Sequence, residues 1–439
     1  MNDPRLKIAL FDPTANGGIC HYTFHLAESL AAAGAEVTVF TDAANELAGW
    51  KRSFEMHFIF RRSRVKAWLD RLAPGRAGCR AQARPRPAYG APGLFLRLRR
   101  LGRLAKAVCL LLWRRPAVVH FLWLENRAQD FRFMRLLKLL GFQIFYTAHN
   151  VLPHNNESAL VAEFFRRVYG AADRIIVHAA DNKREMIARL GVDPEKILVI
   201  PHGVYDRLCA PAGARPTARR RLGIGTGAKV ILFFGVIRRH KGLDILLDAF
   251  DAVREQIPEA VLLVAGKGGA QDPGLRDYYS ELRRRLLAAP RVMFIEDYIP
   301  VQALGCYFAA ADLVVLPYRK VYQSGVLFLA YAAGRPVVVT DTGGLAEAVE
   351  NGRNGFVVPP ERSAPLADAI VELLRDSARR RAMGRHARRL GATVYSWQGI
   401  AAATLAAYRA HLGWPLMAAP APAQLGRGLA AAEREQKRA

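Results

Sequence analysis

Short, almost continuously apolar runs alternate along the chain with longer segments of helical periodicity. "KIALFDP" (residues 7–13) has the pattern of a buried strand, and the turn "TANGG" separates it from a helical segment that ends at Gly34. The next apolar run is "AEVTVFTD" (residues 35–42). Near-continuous apolar strands that alternate with helices are typical of parallel sheets covered on both faces. The pattern therefore predicts a doubly wound α/β fold.

The same alternation begins a second time after a Pro-, Gly- and Arg-rich stretch. Two sheets of this kind facing each other would form a cleft at the carboxyl ends of their strands. The final residues are low-complexity Ala, Pro and charge, a composition typical of disorder. We predict an N-terminal Rossmann-like domain (residues 1–208), a linker (209–228), a C-terminal Rossmann-like domain (229–393), a crossover helix (394–414) and a disordered tail (415–439).

The length, charge and cysteine content of the chain limit the kinds of protein that it can be. A chain of 439 residues is too long for one ordinary core. The 64 Lys and Arg against 38 Asp and Glu give a net charge of +26, which favours anionic partners, although a codon bias toward Arg would also raise the count. The five cysteines are scattered without Cys-x-x-Cys spacing, which argues against a disulfide framework or a structural zinc site. Without a signal-peptide pattern or a long apolar run, we expect a cytoplasmic protein.

Residues 61–115 form a basic insert with 16 Lys and Arg and one acidic residue, Asp70. In "LFLRLRRLGRLAKAVCLLLW" (residues 94–113) apolar and basic residues separate onto two faces at helical spacing. A basic amphipathic helix of this type binds acidic membrane surfaces, each cation contributing about 1 kcal/mol. The alternatives are a surface helix packed on its own domain and a nucleic-acid interface. Since no nucleic-acid-binding motif accompanies the insert, we expect no nucleic-acid partner.

Basic residues also cluster where a strand meets a helix. "GVIRRHKG" (residues 235–242) places Arg238, Arg239 and Lys241 beside a predicted helix N-terminus. Guanidinium groups, an ammonium and oriented amides together suit a diphosphate, although a charged turn of no functional importance has the same pattern.

Three further segments are candidates for a ligand site in the cleft. Gly17 and Gly18, after the first strand, permit close approach of a ligand, although plain turn chemistry also explains them. His149 follows another strand, where an imidazole could bind a sugar hydroxyl, exchange a proton, or be purely structural. In "VYQSGVLFLAYAAGRPVV" (residues 321–338), a Gln-Ser-Gly turn opens an apolar helix whose N-terminus could hold phosphate.

Taken together, several motifs resemble those of GT-B glycosyltransferases, closest to glycosyltransferase family 4, over about residues 7–374. The motifs are "GG" after the first strand, "AHNVLPH", "IPHGV", "FFGVIRRHKGLDILLDAF", "AADLVVLPY", "AAGRPVVVTDTGGLAEAV" and "NGRNGFVVPP". The resemblance implies two Rossmann-like domains that face a cleft and an activity that needs no metal or other cofactor.

The resemblance also implies roles for individual residues. Arg238 or Arg239, with Lys241, would neutralise the donor diphosphate; Arg238 is preferred because Val236 occupies the position after Gly235 at which the family commonly has arginine. His149 would lie beside the donor sugar, and Tyr298 would flank the base. The implied catalytic residues are His149, Arg238 and Lys241, and the implied donor-binding residues are Gly17, Gly18, Gly235, Arg239, Tyr298, Gln323, Ser324, Gly325 and Val326.

One feature departs from the family pattern. The family usually has two glutamates seven residues apart in this loop, and here those positions fall on Leu329 and on Val321 or Gln323. Either main-chain amides and the Gln-Ser-Gly turn replace the acids in a variant subgroup, or catalysis is lost.

We therefore expect a peripheral membrane enzyme at the inner face of the cytoplasmic membrane. It would transfer a hexose from a GDP- or UDP-sugar to a lipid-linked saccharide in cell-surface polysaccharide biosynthesis. The alternatives are a non-catalytic carbohydrate- or lipid-binding relative, which the missing acids would suit, and a sugar-nucleotide epimerase or phosphorylase, whose cleft acids or cofactor lysine are not found in the sequence.

Overall fold

The computed structural model of the protein describes residues 5–60, 94–125, 127–153, 157–208, 214–268 and 276–415. Residues 61–93 of the basic insert and residues 416–439 of the predicted tail lie outside these ranges.

The first domain is built on a parallel sheet of seven strands in the order β3-β2-β1-β4-β5-β6-β7. Its central strands are buried along almost their whole length, as their apolar sequences predict. The chain reverses its direction of winding between β1 and β4, which form one parallel pair. The strands are β1 (Lys7–Asp12), β2 (Glu36–Asp42), β3 (Glu55–Phe60), β4 (Val118–Phe121), β5 (Ile144–Thr147), β6 (Arg174–Val177) and β7 (Ile197–Val199).

Helices cover both faces of this sheet. Apolar side chains of α2 to α5 share one core with the sheet, and those of α1 share the other with the last helix of the chain, Trp397–Leu412. The helices of the first domain are α1 (Gly18–Ala32), α2 (Leu94–Arg114), α3 (Arg127–Leu139), α4 (Ala159–Ala171) and α5 (Ala180–Leu190).

The second domain repeats this architecture with six parallel strands in the order β10-β9-β8-β11-β12-β13. The direction of winding reverses between β8 and β11. The strands are β8 (Lys229–Phe234), β9 (Ala260–Ala265), β10 (Val292–Ile295), β11 (Leu313–Leu316), β12 (Val337–Thr340) and β13 (Gly355–Val358). The helices are α6 (Arg215–Arg221), α7 (Leu243–Gln256), α8 (Arg276–Ala288), α9 (Val301–Ala310), α10 (Gly325–Ala332), α11 (Gly343–Ala348), α12 (Ser363–Arg375) and α13 (Ser377–Ala392).

The last helix, α14 (Trp397–Leu412), returns to the first domain and packs on α1. Trp397 Nε1 donates a hydrogen bond to the carbonyl of Val204, 2.5 Å away. Gly203 has no room for a side chain, because the Trp397 ring occupies the place of a Cβ atom. The predicted pair of doubly wound sheets is thus confirmed. The domain boundaries stay predictions, and the predicted linker contains the short helix α6.

Two tyrosines tie the domains together. Tyr205, which follows β7, is buried in a core of the second domain. In the other direction, Tyr322 of the second domain is buried in a core of the first, and its hydroxyl donates to Glu185 (3.0 Å). Within the described residues, no helix is long and apolar enough to span a membrane.

Candidate active site

The glycine turn after β1 lies at the carboxyl edge of the first sheet. Gly17 has a left-handed backbone (φ +87°), a conformation that glycine adopts without strain, and α1 begins at the next residue. Asp12 holds the start of the turn by accepting hydrogen bonds from the amide and hydroxyl of Thr14 and from the hydroxyl of Thr23. Burial raises the pKa of Asp12 despite these bonds.

Glu46, which follows β2, joins this turn to the second domain. Its Oε1 accepts the amide hydrogen of Gly17 (2.7 Å) and lies 3.2 Å from His21 Nε2. Its Oε2 accepts a hydrogen bond from the Tyr298 hydroxyl (2.8 Å), which comes from the opposite side of the cleft. Burial opposes ionisation of Glu46, but the hydrogen bonds from His21, Gly17 and Tyr298 outweigh it and lower its pKa. The structure thus brings Gly17 and Tyr298 together through a carboxylate.

Tyr205 makes a second bridge, from Gly18 to the N-terminus of α10. Its hydroxyl donates to the Gly18 carbonyl (3.1 Å). Its ring lies 3.0 Å from where a Cβ atom on Gly325 would be. A side chain at Gly325 would therefore push Tyr205 aside, which explains glycine at the start of this helix.

In the polar turn before α10, one backbone amide is already bonded to a side chain of the same turn. Gln323 Oε1 accepts the amide hydrogen of Ser324 at 2.8 Å. The amides of Gly325 and Val326 donate to no acceptor in the described ranges. These two amides, at the positive end of the helix dipole, are therefore available to an anion.

Lys241 lies near the first turn of α10. A Cβ atom on Gly235 would be 3.0 Å from the Lys241 ammonium and 3.8 Å from a methyl group of Val326, so one small space joins all three residues. Gly235 has a left-handed backbone (φ +108°). The ammonium also lies 5.3 Å from the centroid of the Tyr318 ring.

Arg319, which follows β11, holds the turn that carries Arg238, Arg239 and Lys241. Arg319 Nη1 donates to the Arg239 carbonyl (2.8 Å), and the amide of Arg319 donates to the His240 carbonyl (2.8 Å). The guanidinium forms a fork with both oxygens of Asp244, at 2.8 and 2.7 Å. This hydrogen bonding raises the pKa of Arg319. Among the described acidic side chains, none forms an ion pair with Arg238, Arg239 or Lys241.

His149 lies at the carboxyl end of β5. Its Nδ1 is 3.0 Å from Nε2 of His178, which follows β6, and Nδ1 of His178 is 3.0 Å from the carbonyl of Ile200, which follows β7. Three adjacent strands thus supply one hydrogen-bonded row. Burial holds the pKa of His149 well below its ordinary value and lowers that of His178 to about 4. Nε2 of His149 is buried and has no hydrogen-bond partner in the part of the chain that the structure describes.

Comparison with known proteins identifies this architecture. The family described as "Glycosyl transferase 4-like domain" matches residues 17–203, and the one described as "Glycosyl transferases group 1" matches residues 228–376. A D-inositol 3-phosphate glycosyltransferase of Pseudarthrobacter chlorophenolicus is 30% identical over 92% of this chain and 94% of its own length. The chain belongs to the family 4 glycosyltransferases. A Nocardia farcinica enzyme of the same name is 33% identical, but there the match spans 60% of this chain and 58% of the relative.

Solved glycosyltransferase structures share the fold. Sucrose-phosphate synthase from Thermosynechococcus elongatus is 23% identical, with a TM-score of 0.68 over 93% of this chain and all of that one. Anabaena Alr3699/HepE, in complex with UDP and glucose, is 20% identical, with a TM-score of 0.69 over 92% of this chain and all of its own. These likenesses confirm the GT-B fold.

In this family 4 glycosyltransferase, two of the three positions on which the missing acids could fall are packed with apolar side chains. Val321 and Leu329 are both buried in the core of the second domain. A carboxylate at either position in this conformation would be largely desolvated, which is unfavourable unless a polar partner compensates. These two positions of the loop therefore serve packing, and its polar groups include Gln323 and the amides of Gly325 and Val326, which donate to no acceptor among the described residues.

The site residues named from the sequence fall into two connected groups. Gly17, Gly18, Tyr298 and Gly325 meet through Glu46 and Tyr205, and Gly235, Lys241 and Val326 share one small space. His149 belongs to neither group. Ala179, which follows β6, and the Gln323 amide both lie within 3.4 Å of where a Cβ atom on Gly344 would be, so the end of β6 is near the loop that contains Gln323. The exposed Arg238 side chain has no described ion-pair partner.

Sequence reasoning missed Glu46, His178, Tyr205, Asp244 and Arg319. The basic pair after "DLVVLPY" and the carboxylate in the first turn of α7 were the available signals for Arg319 and Asp244. Nothing local marks Glu46, whose partners come from both domains.

Proposed function

We propose that this glycosyltransferase transfers a hexose from a nucleotide-diphosphate sugar to an acceptor hydroxyl. The observation that supports it most is the ammonium of Lys241, which forms no ion pair with the described acidic residues and shares one small space with Val326, in the first turn of α10. The amides of Gly325 and Val326 donate to no acceptor among the described residues. A cation and a helix N-terminus that converge on one space suit a diphosphate. Arg238 and Arg239, on the same turn, add positive charge without a described acidic partner.

The chemistry follows from this charge distribution. The bond between the anomeric carbon and the diphosphate oxygen breaks, a bond from the acceptor oxygen to the anomeric carbon forms, and the proton of the acceptor hydroxyl passes to the departing diphosphate. Negative charge grows on the leaving diphosphate in the transition state. Lys241, Arg238 and the α10 amides stabilise that charge, and such electrostatic stabilisation is often the largest catalytic contribution.

For the donor we propose a UDP- or GDP-hexose. UDP and UDP-glucose are bound in structures of Alr3699/HepE, which supports testing a UDP-sugar first. In this conformation the amides of Gly17 and Ser324 are occupied by Glu46 and Gln323. Donor binding through those amides would displace both side chains.

For the acceptor we propose a lipid-linked saccharide, used in cell-surface polysaccharide biosynthesis at the inner face of the cytoplasmic membrane. The basic helix α2 supports a membrane-facing role: Ala107 and Leu111 pack into the first domain, whereas Trp113 beside them is 76% exposed. A second candidate is an inositol phosphate, because the curated relatives are D-inositol 3-phosphate glycosyltransferases.

A turnover screen tests the proposal. Wild type and the Lys241→Ala variant are incubated with UDP- and GDP-hexoses, together with either a bacterial lipid extract or inositol 3-phosphate. We expect release of nucleoside diphosphate with one acceptor class only, and a loss of 100-fold or more in the variant. A Lys229→Ala variant is the matched control, because Lys229 lies at the other end of β8 and pairs with Glu259. Nucleotide binding without turnover under any condition would instead support the non-catalytic alternative.

A further inference from the structure

Arginine side chains converge on one buried carboxylate at the amino edge of the second sheet. Asp312, which immediately precedes β11, is 2% exposed. Its Oδ1 accepts a hydrogen bond from Arg215 Nη2 at 2.5 Å, and its Oδ2 accepts from Arg219 Nη2 and from the amide of Val230, both at 2.8 Å. Nη2 of Arg380 lies 3.4 Å from Oδ1. The candidate donor site lies at the carboxyl edge of the same sheet, so these arginines belong to a different part of the domain.

Two further arginines extend this group. Arg335 donates from Nε and Nη2 to the carbonyls of two of the last three residues of α9, each at 2.9 Å. Arg219 Nε donates to the carbonyl of the third, Ala310, at 3.1 Å. Arg388 of α13 lies close by, because its Nε is 3.7 Å from where a Cβ atom on Gly334 would be. We call the five side chains the arginine cluster: Arg215, Arg219, Arg335, Arg380 and Arg388.

The negative charge within the arginine cluster does not match its positive charge. Among the described acidic side chains, only Asp312 forms an ion pair with any of the five arginines. The arginines also bond to carbonyls in the last turns of α9, α10 and α12, and each helix end carries about half a negative charge. Together these groups balance about half of the positive charge. At Arg319 the reverse holds, because one guanidinium faces both Asp244 and Glu361.

Water reaches only part of the arginine cluster. The side chains of Arg219 and Arg380 are 5% and 12% exposed, and Arg335 is half-buried. Burial, followed by repulsion from Arg215, lowers the pKa of Arg335 to about 10. Burial likewise lowers the pKa values of Arg219 and Arg380. A surplus of positive charge in such an environment attracts an anion, because a bound anion relieves the repulsion between the guanidinium groups.

The outer part of the arginine cluster has unoccupied hydrogen-bond donors. The side chain of Arg215 is 38% exposed, and its Nε and Nη1 donate to no acceptor among the described residues. The same holds for Nη1 of Arg335 and for both terminal nitrogens of Arg388, whose side chain is exposed. Guanidinium N–H groups bind the oxygens of a phosphate group well, in both geometry and charge.

We propose that the arginine cluster is a binding site for a phosphate group, held by the outer side chains of Arg215, Arg335 and Arg388. The phosphate oxygens accept the unoccupied N–H groups, and their charge compensates the surplus that Asp312 leaves. The site is independent of the proposed function, because it lies at the opposite edge of the sheet from Lys241. A soluble phosphate compound and the head group of an acidic lipid both present this chemistry, and the experiment below separates them.

Calorimetric titration of pyrophosphate, at constant ionic strength, measures binding at the arginine cluster. The titrated protein is the Arg238→Ala/Lys241→Ala variant, because the proposed donor site would also bind pyrophosphate. We expect this protein to bind a single equivalent, and binding at least about tenfold weaker once Arg335→Gln and Arg388→Gln are added. Those two substitutions leave the ion pairs of Asp312 in place.

Matched variants separate the site from net charge and from folding. Arg166→Gln/Arg167→Gln, added to the same starting protein, removes equal charge from α4 of the first domain and should change the affinity by less than about twofold. Arg388→Gln alone alters an exposed side chain, which folding tolerates, and should weaken binding about threefold. Equal binding by all variants, or no binding by the folded starting protein, would overturn the proposal.

Vesicles distinguish the two sources of the phosphate group. Wild type and Arg335→Gln/Arg388→Gln are mixed with phosphatidylcholine vesicles that either contain or lack phosphatidylglycerol. Binding to the acidic vesicles that falls about tenfold in the variant supports the site with a lipid head group as its ligand. Equal vesicle binding, together with weakened pyrophosphate binding, supports the site with a soluble phosphate compound as its ligand. If neither probe distinguishes the variant from its parent, the cluster is only structural and the proposal is wrong.

Discussion

The Arg319–Asp244 pair predicts a coupling between stability and nucleotide binding. Arg319→Met removes the fork to Asp244, the bond to the Arg239 carbonyl and the contact with Glu361. Both side chains of the pair are 22% exposed, so the interaction lies between an exposed pair, which contributes below 1 kcal/mol, and a fully buried one. We therefore expect a loss of about 2 kcal/mol in the free energy of unfolding.

The effect on binding follows from the geometry of the turn. Without Arg319 the turn of residues 239–241 loses its support, and the Lys241 ammonium moves relative to the diphosphate. At an effective dielectric constant of about 20, a displacement from about 4 to about 6 Å reduces the attraction from about 4 to about 2.8 kcal/mol. The expected result is a nucleotide affinity about tenfold weaker.

Urea unfolding and calorimetric titration of UDP and GDP measure the two effects separately. Arg285→Met is a matched control, because it removes a more exposed ion pair, with Asp248, that also involves α7. The control should change neither quantity appreciably. If Arg319→Met destabilises the protein but leaves nucleotide affinity within twofold of wild type, the pair is only structural and our account of the turn is wrong.

Three further predictions concern other parts of the molecule. Burial lowers the pKa of His178 to about 4 and that of His202 to about 3, so their contribution to stability is complete above pH 6.5 and is lost as the pH falls. For each histidine, the free energy of unfolding measured in urea should be about 2 kcal/mol lower at pH 5 than at pH 7. Equal values would contradict neutral rings in the folded protein. Tyr298→Phe removes the bond to Glu46 across the cleft and should increase hydrogen exchange at the Gly17 turn, and unchanged protection there would show that the bridge does not order it. Trp113→Ala should weaken binding to vesicles with acidic lipid about tenfold, and binding equal to wild type would place the membrane contact elsewhere.

The fold was predictable because its signals are local. Most strands are short apolar runs followed by the glycine or polar residues of a turn, as at Gly17 and Gly235, whereas β3, whose sequence is polar at Glu55 and His57, was not predicted. Such patterns depend only on neighbouring residues, so one sequence suffices to read them. The glycosyltransferase family was predictable for the same reason, because its motifs are local and cluster at strand ends. The family matches confirm that prediction.

The connections within the site were not predictable, because they join distant parts of the chain. Glu46 and Tyr298 are 252 positions apart, and Arg319 and Asp244 are 75 apart. The row from His149 to Ile200 depends on the order of β5, β6 and β7 in the sheet. Likewise, the sequence shows that Val321 and Leu329 are not acidic but not that both are buried.

The most direct test of the proposed donor site is calorimetric titration of UDP and GDP into wild type and into the Arg238→Ala/Lys241→Ala double variant. A Lys229→Ala/Arg254→Ala protein, which loses the same charge away from the cleft, is the control. Our account predicts micromolar binding of one nucleotide to wild type and to the control, and a loss of at least 100-fold in the double variant. Equal binding to all three proteins, or no binding to folded wild type, would contradict it.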